Sequence, residues 1–213
     1  MTIINLGLVD YQKALDEQRR VHALVCDGTE PAAIIVCRHY PVITVGRSAK
    51  KGSLLLGRSE YEARGIKVVD VERGGDVTYH SPSQLVIYPI FPMAAFDNDL
   101  HAYLRFLEEA VISSLEPAGI SACRKNSLTG VWVQQRKIAS IGIAVKRWVS
   151  YHGLSLIVKR EFLEDFSLIR PCGMDIGMTS IESELQQTVS FDTIKHNLLR
   201  RLTNGQCIAA AAR

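Results

Sequence analysis

Cys172 stands between Pro171 and Gly173 in the run LIRPCGM. A thiol held there can be presented rather than packed, because proline fixes one backbone dihedral and glycine tolerates unusual ones. That is one way to display a nucleophile; the other reading is a small buried hydrophobe, the commoner fate of a lone cysteine. Lys137 is the second group with chemical reach. It begins the apolar stretch KIASIGIAV, so it is either carried to the edge of the core or is a solvated strand-end lysine beside Arg136. If the two met, a lysine ammonium would depress the thiol pKa from about 8.5. A drop of about two units, roughly 2.7 kcal/mol, makes the sulfur mostly thiolate at neutral pH.

Arg73-Gly74-Gly75, with His80 a few residues on, is the third candidate. Adjacent glycines let a backbone approach a ligand closely and offer unobstructed N–H groups; the same pair also makes an ordinary tight turn. Neither G-x-x-x-x-G-K-[ST] nor G-x-G-x-x-G is present, so it is not a phosphate loop. His152, beside Gly153, reads as a hydrogen-bonded structural group rather than a ligand. Trp132 and Trp148 read as core or rim packing.

The elements that must position these groups follow from periodicity. Residues 10–26 place Tyr11, Ala14, Leu15, Val21, Leu24 and Val25 on one helical stripe, ended by Asp27-Gly28. AAIIVCRH and PVITVGR are two β-branched strands joined through His39-Tyr40-Pro41, expected as a hairpin or as neighbours. Ser59-x-x-Glu62 has capping-box spacing and predicts a short helix up to Gly65. IKVVDVE and 85–91 are strands, and 99–115 is the long helix. Residues 130–134, 137–145 and 149–158 predict an antiparallel meander. TSIESEL and SFDTIKHNLLRRL are helical, Ser190 capping the second. The order predicts a single mixed α+β domain over residues 1–213, a largely antiparallel sheet with packed helices.

Composition narrows the function. The chain has 213 residues, 47% hydrophobic and 22% charged, with net charge +3. No concentrated Lys/Arg stripe exists for a nucleic-acid backbone. Cys26, Cys37, Cys123, Cys172 and Cys207 are odd in number, scattered and without a CxxC pair, which argues against a disulfide framework or a zinc site and for a reducing compartment. No secretory signal or membrane-length apolar run is present, so the expected location is cytoplasmic.

Together, RGGDVTYH with QLVIYPI, GVWV, RKIASIGI, WVSYHGLSL, FSLIRPCGM and TSIESEL, in that order, resemble the lipoyl(octanoyl) transferases; HYPVITVGRSA is similar as well. The likeness runs from about His39 to Leu185. It implies the fold of biotinyl and lipoyl protein ligases and a transfer of octanoyl from acyl carrier protein to a lysine of a lipoyl domain. The acceptors implied are the E2 subunits of 2-oxoacid dehydrogenases and the glycine cleavage H protein, with no nucleotide or metal cofactor and a monomeric enzyme. By this resemblance Cys172 is the acyl-thioester cysteine and Lys137 its partner. Arg73, Gly74, Gly75, Asp76, Val77, Thr78, Tyr79 and His80 form one substrate-binding segment; Ser140, Ile141 and Gly142, with Gly153, Leu154 and Ser155, form two others. The family reads HGPGQ where this chain has His80-Ser81-Pro82-Ser83-Gln84, so Ser81 and Ser83 strain the turn or narrow the site if either glycine was needed. Two other functions fit parts of the pattern: an ATP-dependent lipoate-protein ligase, suggested by the RGG turn and the lysine, and a non-catalytic acyl-carrier-binding homologue, suggested by the two serines.

Overall fold

A computed structural model describes residues 1–171 and 174–204; Cys172, Gly173 and residues 205–213 lie outside the described residues. Its frame is a seven-stranded mixed sheet in the order β1 (Thr2–Val9), β2 (Ala33–His39), β6 (Gln84–Ile90), β10 (Val149–Ile157), β9 (Arg136–Lys146), β8 (Leu128–Val133), β7 (Cys123–Lys125). β1 and β2 run parallel, joined by the crossover helix α1 (Tyr11–Cys26), and the other pairs are antiparallel. The 8–10 run is the expected meander. β1 was not foreseen: its burial alternates weakly, as suits an edge strand with one exposed face.

Each face of the sheet is covered. α1 packs Ala14, Val21 and Val25 against Ala33, Ile35 and Val86. On the opposite face α3 (Leu100–Leu115) and α5 (Phe191–Thr203) bury Leu107, Leu115, Leu198 and Leu202 against Ile34, Ile87 and Ile138. Each such leucine contributes about 1.5–3 kcal/mol. Asp99 caps α3 by accepting from the His101 and Ala102 N–H groups, and Ser190, as expected, caps α5 by accepting from Asp192 N–H.

Two local expectations change. β2 and β3 (Val42–Val45) are neither a hairpin nor neighbours. At Tyr40-Pro41 the chain leaves the large sheet, and β3 becomes the centre of a separate sheet, β4-β3-β5, with β4 at Lys67–Asp70 and β5 at Val77–His80. Proline cannot donate to a continuing ladder, so the break falls there. The short helix α2 (Arg58–Ala63) is capped from Gly57, whose N–H donates to the Glu60 carboxylate at 2.8 Å; the pair Ser59 and Glu62 is not the cap. A second short α-helix, α4 (Ile181–Leu185), is capped by Ser180, whose side chain accepts from Ser183 N–H. No helix among the described residues is long and apolar enough to cross a membrane.

Candidate active site

β9 and β10 bring two of the predicted segments into direct register: Ser140 faces Ser155, Ile141 faces Leu154, and Gly142 faces Gly153. The third segment lies over them. Gly74 N–H donates to the Ile143 carbonyl at 2.8 Å, and a methyl added at Gly142 would come within 3.0 Å of Arg73 Cδ. Gly142 therefore has no side chain because the Arg73 turn occupies that space. The turn is held from its other side by residues 46–48, whose N–H groups donate to the carbonyls of Asp76, Arg73 and Gly75. Arg73 is buried and spends its guanidinium on Thr44 and Gly74: Nη2 to the Thr44 carbonyl at 2.7 Å, Nε and Nη2 to Thr44 Oγ1, and Nη1 to the Gly74 carbonyl. Asp76 accepts from Ser53 Oγ and from Val77 N–H, both at 2.7 Å.

These segments wall a cavity of about 140 Å³. Of the predicted binding residues, Arg73, Gly75, Asp76, Val77, Thr78, His80, Ser140, Ile141, Gly142, Gly153, Leu154 and Ser155 line it, and so does Lys137. Gly74 and Tyr79 do not. Gly74 is spent on the β9 hydrogen bond; the Tyr79 hydroxyl donates to Asp165 at 2.6 Å, and its ring packs edge-on against Phe166, which is itself part of the cavity wall.

Lys137 sits where the edge of β9 meets the chain beyond residue 174. Its N–H donates to the Gly177 carbonyl at 2.8 Å, its carbonyl accepts from Thr179 N–H at 2.9 Å, and Nζ donates to the Thr129 carbonyl at 3.0 Å. The ammonium is also 5.5 Å from the centroid of Trp132, a buried ring that lines the cavity. Gly130 makes the space: a Cβ there would collide with Lys137 Cε. Buried Glu108 fixes that glycine by accepting its N–H at 3.0 Å, and is itself paired with Arg105 and Arg124. Cys172 lies outside the described residues. Its described neighbours Pro171 and Met174 both line the cavity with Lys137, and Met174 N–H donates to the Pro171 carbonyl at 3.1 Å.

The opposite, buried end is lined by aromatic and imidazole rings. Tyr11, His80, Tyr88 and His152 line it. His80 stacks on Tyr11 at 6.2 Å between centroids, and its Nδ1 is 3.3 Å from Gln84 Oε1. His39, just behind, donates from Nδ1 to the Val9 carbonyl and accepts from the Tyr88 hydroxyl at 2.8 Å. Burial drives the pKa of His39 and of His152 down to about 4, and that of His80 well below the ordinary histidine value. Burial likewise raises the Tyr11 and Tyr88 hydroxyls, so this end carries neutral rings at pH 7.

His152 departs from expectation. It is 1% exposed, adopts φ 58°, and neither ring nitrogen has a hydrogen-bond partner among the described residues. The cause is Pro89 of β6, which has no N–H to give β10. The β6–β10 ladder runs from Ile157 to Leu154, breaks off, and resumes beyond β6, where Ser150 N–H donates to the Phe91 carbonyl at 2.9 Å; within the gap Ser150 Oγ serves the freed groups, donating to the Pro89 carbonyl and accepting from Phe91 N–H, both at 3.0 Å. Gly153 packs against the Ile87 carbonyl with no room for a side chain, and His152 turns into the cavity. The proline inside QLVIYPI was the available signal.

Two other sequence expectations resolve. Ser81 and Ser83 are not among the positive-φ residues, their hydroxyls bond to each other at 2.7 Å, and neither lines the cavity, so they neither strain the turn nor narrow the site. Trp132 is packed, whereas Trp148 is 61% exposed at the β9–β10 turn and is neither core nor rim. Sequence reading also missed Tyr11, Tyr88 and Gly130; the first two sat inside helix and strand patterns that read as packing alone.

The comparisons with known proteins agree with this geometry. The family model of the lipoyl protein ligase A/B catalytic domain matches residues 10–203. A relative from Caldicellulosiruptor bescii, named octanoyltransferase, is 43% identical over 197 residues, 91% of this chain and 86% of its own length. Among solved structures, lipoate-protein ligase A bound with ATP superposes with a TM-score of 0.76 at 15% identity, over 100% of this chain and 92% of its own. Biotin protein ligase from Aquifex aeolicus does so at 0.56 and 14% identity, over 99% and 70%. At such identities the two structures establish the fold alone, the one expected for biotinyl and lipoyl protein ligases. With the family model spanning most of its length, the chain belongs to the lipoyl protein ligase A/B catalytic-domain family.

Proposed function

We propose that the protein is an octanoyltransferase acting in protein lipoylation: one catalytic domain over residues 1–213, monomeric and cytoplasmic. It would take the octanoyl group from acyl carrier protein onto Cys172 and pass it to a lysine of a lipoyl domain, in E2 subunits of 2-oxoacid dehydrogenases or in the glycine cleavage H protein. The observation that carries the reading is the sharing of one cavity by Lys137 and by Pro171 and Met174, the described residues on either side of the 172–173 pair.

The Cys172 thiolate attacks the donor thioester carbon; the bond to the carrier sulfur breaks, and that sulfur takes up the proton the cysteine lost. One thioester replaces another at little cost, so no nucleotide is required. The acceptor amine then attacks the Cys172 thioester. An amide forms, the Cys172 sulfur leaves as thiolate, and neutral Lys137 accepts the proton from the amine. The Arg73–His80, Ser140–Gly142 and Gly153–Ser155 segments would hold the acyl chain between them.

Mass spectrometry of the protein incubated with octanoyl-acyl carrier protein is the test. One added octanoyl mass, lost on hydroxylamine treatment and absent from Cys172→Ala, is expected. Equal labelling of both proteins would remove the cysteine from the reaction, and lipoyl-domain modification that requires ATP and persists in Cys172→Ala would make the enzyme a ligase.

A further inference from the structure

Glu108, on α3, is a buried acid to which the chemistry above gives no part. It is 1% exposed. Two guanidinium groups reach its Oε2, Arg105 at 2.6 Å and Arg124 at 3.1 Å, and Arg124 is tied in turn to the Arg105 carbonyl and to Glu109. Stability alone is a weak reason for such a cluster, because desolvating the charges offsets most of what their pairing contributes. The other oxygen, Oε1, serves β8 by accepting the Gly130 N–H at 3.0 Å.

That N–H belongs to the same peptide group as the Thr129 carbonyl, which accepts from Lys137 Nζ at 3.0 Å. One planar amide therefore stands between the carboxylate and the amine. Its N–H and C=O point in opposite directions, so fixing the first orients the second. Negative charge on the N–H side also polarises the amide and makes its carbonyl a stronger acceptor. Gly130 lets the relay form: its φ is 131°, and a side chain there would collide with Lys137 Cε.

The other charges around the amine are mostly matched. Lys125 of β7 lies over the same Trp132 ring, 4.3 Å from its centroid, and donates to neutral Gln135. Arg136 pairs with Glu184 of α4, and Arg170 with Asp175; Arg73 and Asp76 line the cavity that Lys137 also lines. Glu108 differs from these in reaching the amine through a hydrogen-bonded path.

We propose that Glu108 is a positioning residue for the transfer reaction: through the 129–130 peptide it holds the Lys137 amine in place and favours its ammonium form, the form that activates the Cys172 thiol for attack on the donor. The proposal rests on the acyl-transfer reading above. Neutral Lys137 is needed only in the second step, so the carboxylate sets the pH at which that step begins.

Glu108→Gln is the test, because glutamine keeps an acceptor for Gly130 N–H but removes the charge and leaves Arg105 without its carboxylate. Competitive acetylation of lysines across a pH series, read at Lys137 by mass spectrometry, gives the titration midpoint of the amine whether or not any acyl group is transferred. That midpoint should fall by about half to one pH unit in Glu108→Gln. The acid limb of single-turnover transfer from pre-acylated protein to a lipoyl domain should move down with it. Arg124→Gln, at a side chain 34% exposed, should move both upward, and it decides the matter if the first variant folds poorly. Unmoved midpoints in the variants that fold, or a slower transfer with no change in its pH profile, would make Glu108 a structural residue alone and overturn the proposal. A midpoint that falls in a protein acylating neither Cys172 nor a lipoyl domain keeps the coupling of Glu108 to Lys137 and refutes the transferase. An unmoved midpoint in a protein that does transfer octanoyl refutes the coupling alone.

Discussion

The two ends of the cavity are built by different means. At the Lys137 end the lysine is placed by backbone: the edge of β9, the strand-like contact with residues 177–179, and a glycine at 130 that leaves room for its side chain. At the floor, position is set by buried rings bonded to one another and to carbonyls, with Pro89 turning His152 inward. The contrast has a physical logic. A reacting amine must be reachable by an incoming protein and has to change protonation state, which exposure allows; a specificity wall works only if it is dry and immobile, which burial enforces.

The largest effect expected on this contrast comes from Lys137→Ala. Loss of a proton acceptor costs about 10²- to 10⁴-fold in transfer rate. Since the backbone hydrogen bonds of residue 137 survive the substitution, the thermal midpoint should move by only a few degrees. Single-turnover transfer from pre-acylated enzyme, measured beside the melting curve, checks both. A large drop in stability would show that the lysine end is held by its side chain after all.

Acid should attack the floor first. A ring whose folded pKa lies below its unfolded value of about 6.5 binds fewer protons folded than unfolded between those values, so stability is intact above pH 6.5 and falls as the pH drops toward the folded value. For His39 and His152, held near 4, the loss is about 3 kcal/mol each by the bottom of that window, and His80 adds to it. The carboxylates with depressed pKa values, such as Glu17 and Asp10, titrate below this range, so the fall between pH 6.5 and 5 reports the rings. Urea midpoints across that interval measure it; a flat profile would mean that the floor is hydrated.

How much of this was legible in the sequence follows the same division. The meander, the long helix and the Ser190 cap follow from periodicity and local hydrogen bonding, which act within a few residues. The convergence of Arg73, Gly142 and Gly153 came from the resemblance, and the pairing of Gly142 with Gly153 gives it a physical basis. What escaped was set by long-range partners. Gln18 and His22 fall on the buried stripe of α1 and read as interruptions until β10 is placed beside them. The second sheet was hidden because β3 and β2 are adjacent in sequence yet pair with different strands.

A smaller effect tests the contact between the two ends. Gly153→Ala pushes a methyl onto the Ile87 carbonyl and the Pro89 ring at the point where the β6–β10 ladder breaks off. Overpacking of this kind costs about 1–3 kcal/mol. The strand shift should move His152 more than Lys137, so KM for long acyl chains should rise more than kcat falls. Steady-state kinetics with octanoyl and decanoyl donors check the split; an equal loss in both constants would mean that the disturbance travels along β10 to the reacting groups.

The smallest effect is expected from restoring the family's glycines, Ser81→Gly with Ser83→Gly. Each serine has an ordinary negative φ, so glycine relieves no strain and widens the unfolded ensemble, a loss of up to about 1 kcal/mol per site. The paired hydroxyls are removed together, which leaves no orphaned partner and adds little to the cost. Neither side chain lines the cavity, so chain-length preference should not change. Melting curves and transfer rates on a ladder of acyl donors would check this. A shift toward longer acyl chains in the double variant would mean that residues 81–84 bear on the floor through His80, whose ring Gln84 holds, and that the wall is less rigid than its buried hydrogen bonds imply.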